Sequence, residues 1–139
     1  MDEDHPLRPE LGEFGWHTDD IAGGRVVYLP YPERHSNHSC DPNSYDGIVD
    51  GVTYRFALKD IAKDQEITTD YCINAPLSEG VLECNCGAQR CRGRVVHGFF
   101  TLPIELQIEY LPLLMPWFVE ENAKAVERLR VRSSKRGAA

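Results

Sequence analysis

The chain has 139 residues, 42% hydrophobic and 27% charged, which are the proportions of an ordinary globular domain. That length holds one core rather than two, and no run of about 18 apolar residues occurs, which argues against a transmembrane helix. The formal net charge is −7, but residues 128–139 carry Arg128, Arg130, Arg132, Lys135 and Arg136 and no acid, so the rest of the chain carries about −12 once those five charges are set aside. An acidic body disfavours nucleic acid as a partner and suits a basic peptide or protein; a charged face that only keeps the protein soluble explains it equally well. No basic segment followed by an apolar one opens the sequence, so an intracellular compartment with reduced thiols is expected.

In chain order, residues 1–15 are rich in charge, proline and glycine and predict an extended arm. Residues 25–29 are β-branched and aromatic and predict a short strand, broken by Pro30 and Pro32. Residues 31–43 are polar, without period, and dense in His, Asn, Ser and Cys, a composition that fits either a surface loop or a buried functional segment. Residues 45–48 and 52–58 flank Asp50-Gly51, a strong hairpin signal. Residues 59–65 predict a polar connection, 66–71 another strand, and 77–81 a turn into the cysteines. Helix is expected only in the last third. Pro103 and Glu105 suit a helix start, Leu111-Pro112 its end, and Pro116 the start of a second helix. In that second helix Phe118, Val119, Ala123, Val126 and Leu129 recur at helical spacing, before a basic tail.

Four of the five cysteines form a pattern. Cys84, Cys86 and Cys91 make a C-x-C-x4-C cluster, one thiolate short of the tetrahedral set that a structural zinc needs. Gly87 allows the tight path between them, and Arg90, Arg92 or Arg94 nearby would favour thiolate over thiol. The vacancy has four candidates: Cys40, Cys72, His97 and His38. Where thiols stay reduced, clustered cysteines more often bind metal than pair as disulfides.

Three segments carry a resemblance. Asn37-His38-Ser39-Cys40-Asp41-Pro42-Asn43 closely resembles the N-H-S-C-x-P-N signature of SET-domain protein lysine methyltransferases. Residues 55–71, ending Glu66-Ile67-Thr68-Thr69-Asp70-Tyr71, look like that family's turn and final strand. Cys84 to Cys91 followed by Arg92-Gly93 looks like its post-SET zinc motif. The similarity covers about residues 25–98.

The resemblance implies a mainly β fold of small sheets with a knot-like core, a zinc-bound post-SET segment and C-terminal α-helices. Its implied organisation is an N-terminal arm (1–24), the C-terminal portion of a SET domain (25–82), a post-SET segment (83–98) and a helical extension with a basic tail (99–139). It implies methyl transfer from S-adenosylmethionine to a lysine of a basic protein or peptide substrate. Carried over residue by residue, Tyr71 is the catalytic tyrosine, and Asn37, His38 and, more weakly, Arg34 contact the cofactor. Phe99 or Phe100 covers its adenine. Thr69 lines the lysine channel, and Cys40 joins Cys84, Cys86 and Cys91 on one Zn2+. Cys72 is left as a small buried residue.

The chain also departs from the family pattern. No G-x-G cofactor segment stands in the first 36 residues, and Gly12 and Gly15 lie too close to Asn37 to serve. Asp64-Gln65 replaces the usual glycine before Glu66, and Thr69 stands where an aromatic is usual. These departures keep a second expectation alongside the enzyme, a catalytically weak SET-like binding or regulatory module held by zinc. A homo-oligomer or a complementing chain is compatible with either.

Overall fold

The computed structural model describes residues 18–29, 31–77 and 80–136; the expected arm at 1–15, the two glycines in it and part of the expected turn at 77–81 lie outside them. The chain divides into two compact units, residues 1–36 and 37–139. In the first, strand β1 (Thr18–Ile21) pairs antiparallel with β2 (Arg25–Tyr28). The β2 strand was expected. The β1 partner was not, since two of its four residues are aspartates, which strands disfavour.

The second unit begins at β3 (Asn37–His38) and continues through β4 (Ser44–Val49) and β5 (Val52–Ala57). β4 and β5 pair antiparallel from Ser44↔Ala57 to Val49↔Val52. That register leaves Asp50 and Gly51 as a two-residue turn, with φ of 51° and 78°. Positive φ at both positions is the hairpin geometry that matches strand twist, and it explains the Asp-Gly pair. Tyr45 stacks on Phe56 across the hairpin at 5.4 Å.

β6 is only Thr68–Thr69, paired parallel with β3, so that Asn37 faces Thr68 and His38 faces Thr69. The expected strand at 66–71 is cut short for two local reasons. Asn43 takes the place of a neighbouring strand: its Nδ2 donates to the Glu66 carbonyl (2.8 Å) and its Oδ1 accepts from Thr68 N–H (2.8 Å). Beyond Asp70 the chain turns, with Ile73 N–H donating to the Asp70 carbonyl. Ser39 N–H donates to the Thr69 carbonyl and Ser44 Oγ to the Thr68 carbonyl, both at 2.9 Å. Residues 37–44 and 66–70 are thereby laced together by backbone and side chain alike.

Two three-residue strands, β7 (Val81–Glu83) and β8 (Arg94–Val96), pair antiparallel and bracket the three clustered cysteines. Helices follow: α1 (Ile104–Tyr110), α2 (Pro116–Glu121) and α3 (Ala123–Arg136). Pro116 opens α2 where its missing N–H costs nothing. The single long second helix expected from the pattern is instead α2 and α3. They are interrupted at Asn122 (φ −113°, ψ 24°), whose Nδ2 donates to the Phe118 carbonyl.

Helix and strand share the described residues about equally. One core runs through this unit: Cys40, Cys72, Cys84 and Val95 at one end, Phe99, Leu102, Tyr110, Phe118 and Leu129 at the other. Burying a large apolar side chain stabilises by about 1.5–3 kcal/mol, so the helices reinforce the cysteine segment they cover.

Candidate active site and metal centre

The Sγ atoms of Cys40, Cys84, Cys86 and Cys91 all lie within 4.8 Å of one another. The Cys40–Cys84 and Cys84–Cys91 sulfur separations are both 3.8 Å. A tetrahedron with zinc–sulfur bonds of about 2.3 Å has edges of about 3.8 Å, so the four thiols fit a zinc ion by number, chemistry and spacing. Of the four candidates for the missing ligand, Cys40 is the one that closes this cluster.

Its local structure explains the fit. Gly87 (φ 70°) turns the chain between Cys86 and Cys91, and Cys84 N–H donates to the Gly93 carbonyl at 2.7 Å, closing the loop at its base. Several N–H groups point at sulfur, among them Cys40 N–H at Cys86 (3.5 Å), and Arg92 N–H and Nε at Cys40 (both 3.3 Å). Burial raises the Cys84 thiol to about 12. Burial acts on Cys86 in the same sense, but N–H groups of Cys40 and Ala88 and the neighbouring thiols bring it down to about 6.

Cys72 stands apart. It is fully buried, its Sγ donates to the Val96 carbonyl at 3.4 Å, and burial, seconded by the Asp70 charge, holds its thiol up at about 11. It is the inert buried residue that the sequence suggested.

His38 links this centre to Tyr71. Its Nδ1 accepts the Tyr71 N–H at 3.1 Å, and its Nε2 lies 3.4 Å from Cys40 Sγ. Accepting at Nδ1 assigns the neutral ring's proton to Nε2, directed at the sulfur. The two rings lie 5.3 Å apart. Burial lowers the His38 pKa, partly opposed by Asp70 and assisted by Arg92, so the ring is held neutral.

Asp70, immediately before Tyr71, is a residue that the sequence motifs did not single out. It is 1% exposed and accepts from Arg92 Nη2 (2.8 Å), Cys72 N–H (3.1 Å) and Tyr110 Oη (3.4 Å). Burial works against the Arg92 charge, and the hydrogen bond and charge of Asp70 outweigh it, so its pKa lies above the usual arginine value. Arg92 stood out in the sequence only as a cation near the cluster. Its position directly after Cys91 was the available signal.

Asn37 is exposed, with Nδ2 donating to Glu66 Oε1 at 2.6 Å. Thr69 is half-buried opposite His38. Tyr71 is 40% exposed and borders a cavity of about 290 Å3, also lined by Gly80, Val81, Leu82, Val95 and His97. Asn37, His38, Thr69 and Tyr71 are thus carried by one parallel strand pair and the turn after it. Arg34 lies in the other unit, where its Nη1 donates to Tyr28 Oη at 2.9 Å. Phe99 is fully buried, packed edge-on to Phe100 and Phe118. Its ring is occupied with the core, and of the two aromatics considered for covering an adenine only Phe100 is exposed.

Residues 10–72 match the family model of the SET domain. The match reaches upstream of residue 25, where the recognisable motifs begin, and ends at Cys72, before the cysteine cluster. Histone-lysine N-methyltransferase trithorax of Drosophila virilis is 40% identical over 86 residues, 59% of this chain and 2% of the relative. Histone-lysine N-methyltransferase 2B of Homo sapiens is 41% identical over 86 residues, 59% of this chain and 3% of the relative. Histone-lysine N-methyltransferase ATX2 of Arabidopsis thaliana is 41% identical over 63 residues, 42% of this chain and 6% of the relative. The chain therefore spans only a few per cent of these relatives' length. The likeness to the SET domain is confined to residues 10–72, and the cysteine cluster and C-terminal helices described above lie beyond it.

Proposed function

We propose that this chain is a protein lysine methyltransferase that uses S-adenosylmethionine, with a structural zinc ion held by Cys40, Cys84, Cys86 and Cys91. The observation that carries the reading is the parallel pairing of Asn37–His38 with Thr68–Thr69, which sets His38 against Tyr71 beside the four-thiol centre. The zinc would tie the strand bearing Asn37 to the segment behind it and do no chemistry itself. When bound, S-adenosylmethionine supplies the methyl group from its sulfonium sulfur.

The protein's part is binding and alignment. Asn37 and His38 hold the cofactor. The exposed Phe100 is better placed than the buried Phe99 to cover a ring. The acceptor lysine must be a neutral amine. With a reference pKa near 10.4, deprotonation at pH 7 costs roughly 4–5 kcal/mol, and apolar walls together with a nearby cation reduce that cost. Val81, Leu82 and Val95 give the cavity beside Tyr71 such walls. The Tyr71 hydroxyl orients the amine, and alignment alone removes several kcal/mol of a displacement barrier. Thr69, smaller than an aromatic, leaves the channel wide enough for a lysine that already carries methyl groups.

The relatives' names specify histones, and the acidic body suits a basic tail of that kind. An intracellular site of action, nuclear for a histone substrate, follows from the same reading and from a centre that needs reduced thiols. Calorimetric titration with S-adenosylmethionine tests the proposal. Saturable binding that weakens in Asn37→Ala is expected; no heat at millimolar cofactor would leave only a zinc-stabilised binding module.

A further inference from the structure

The guanidinium of Arg92 meets three groups in the two segments that the methyl-transfer reading uses. Its Nε donates to Cys40 Sγ at 3.3 Å, its Nη2 lies 3.3 Å from His38 Nε2, and the same Nη2 donates to Asp70 Oδ1 at 2.8 Å. The Arg92 backbone N–H adds a second bond to Cys40 Sγ. His38 is next to the cofactor candidate Asn37, and Asp70 is next to Tyr71. β3 and β6 are only two residues long, so their backbone pairing alone fixes these positions weakly.

We propose that Arg92 is a positioning residue: with Asp70 as counter-ion it clamps the end of the cofactor strand, at Cys40, to the tyrosine turn, and so keeps His38 in place against the Tyr71 N–H. Arg92 Nη2 lies beside Nε2 of that ring without bonding it, while Tyr71 N–H donates to Nδ1. Nε2 thus turns its proton to the sulfur, and Nδ1 stays available to hold the Tyr71 backbone. A planar fork with fixed donors reaches the Cys40 sulfur and the Asp70 carboxylate at once from two nitrogens, whereas a lysine ammonium offers one. Tyr110 braces the clamp from α1 through its hydroxyl on Asp70. Arg92 therefore serves more than the metal, because Nη2 extends past the sulfur toward residues that bind no zinc.

The proposal rests on the methyl-transfer reading only for its effect on rate. Its test uses R92K and the double variant R92M/D70N, which removes both buried charges together and so avoids leaving one uncompensated. In both variants zinc content should stay at about one per chain and KM for purified core histones should stay unchanged. In the double variant kcat should fall by about tenfold or more, with a smaller fall in R92K. In the nitrogen NMR spectrum His38 should change from a single Nε2–H tautomer to a mixture. Wild-type kcat with an unchanged His38 spectrum would overturn the clamp, as would zinc loss in proportion to activity, since Arg92 would then support only the metal. If the double variant does not fold, the rate and spectrum of R92K decide by the same criteria. A wild type that binds no S-adenosylmethionine sinks the methyl-transfer reading instead, and the His38 spectrum still decides the clamp.

Discussion

The sulfurs of Cys40 and Cys84 lie 3.8 Å apart although the residues are 44 positions apart in the sequence. That contact ties the strand proposed to hold the cofactor to the loop behind it. Dissolved zinc gains its affinity by organising just such a set, and the binding free energy becomes folding free energy. Metal analysis should give about one zinc per chain, and a chelator should lower the melting temperature of the wild type. Cys84→Ser should lose the metal and show no further response to chelator. A wild type whose melting is indifferent to chelator would contradict the metal assignment.

Asn43 is 2% exposed and serves two backbone groups of the segment before Tyr71. Asn43→Ala leaves the Thr68 N–H and the Glu66 carbonyl without these bonds. Each such loss costs about 1–3 kcal/mol when the group stays buried. Denaturant unfolding should show a loss of about 2–3 kcal/mol with an unchanged slope.

Gly51 sits at φ 78°, and a Cβ at this position would meet no other atom within 4 Å, so any penalty for a side chain there is conformational. Gly51→Ala should cost about 1 kcal/mol, read as a shift of the urea midpoint, whereas Asp50→Gly, also in the turn, should cost less.

Phe99 and Phe100 separate packing from binding. Phe99→Ala empties a fully buried position and should destabilise by about 3–5 kcal/mol. Phe100→Ala, 41% exposed, should cost much less but should weaken cofactor binding if its ring covers the adenine. Equal destabilisation by the two would contradict their assigned places.

These contrasts show which features the sequence could reveal. The hairpin was legible because φ > 0 at Asp50 and Gly51 restricts the residues allowed there. The four-thiol cluster was legible because cysteines at so close a spacing have few other uses. β7 and β8 were not, since three-residue strands carry no period. They form because Cys84 and Gly93 must meet beneath the loop. The break at Asn122 was hidden by apolar spacing that runs through it unchanged. Asp70 was hidden because its meaning lies in Arg92, 22 positions away, and a buried ion pair has no local signature. Phe99 and Phe100 are indistinguishable in sequence: both lie against Phe118, and only the fold decides which of them is buried.

The most direct measurement is mass spectrometry of purified core histones after incubation with the zinc-loaded chain and S-adenosylmethionine. The account predicts added methyl groups on lysine, with the rate falling at least about a hundredfold in Tyr71→Phe. No lysine methylation by a wild type that demonstrably binds both zinc and cofactor, or full activity in Tyr71→Phe, would contradict it.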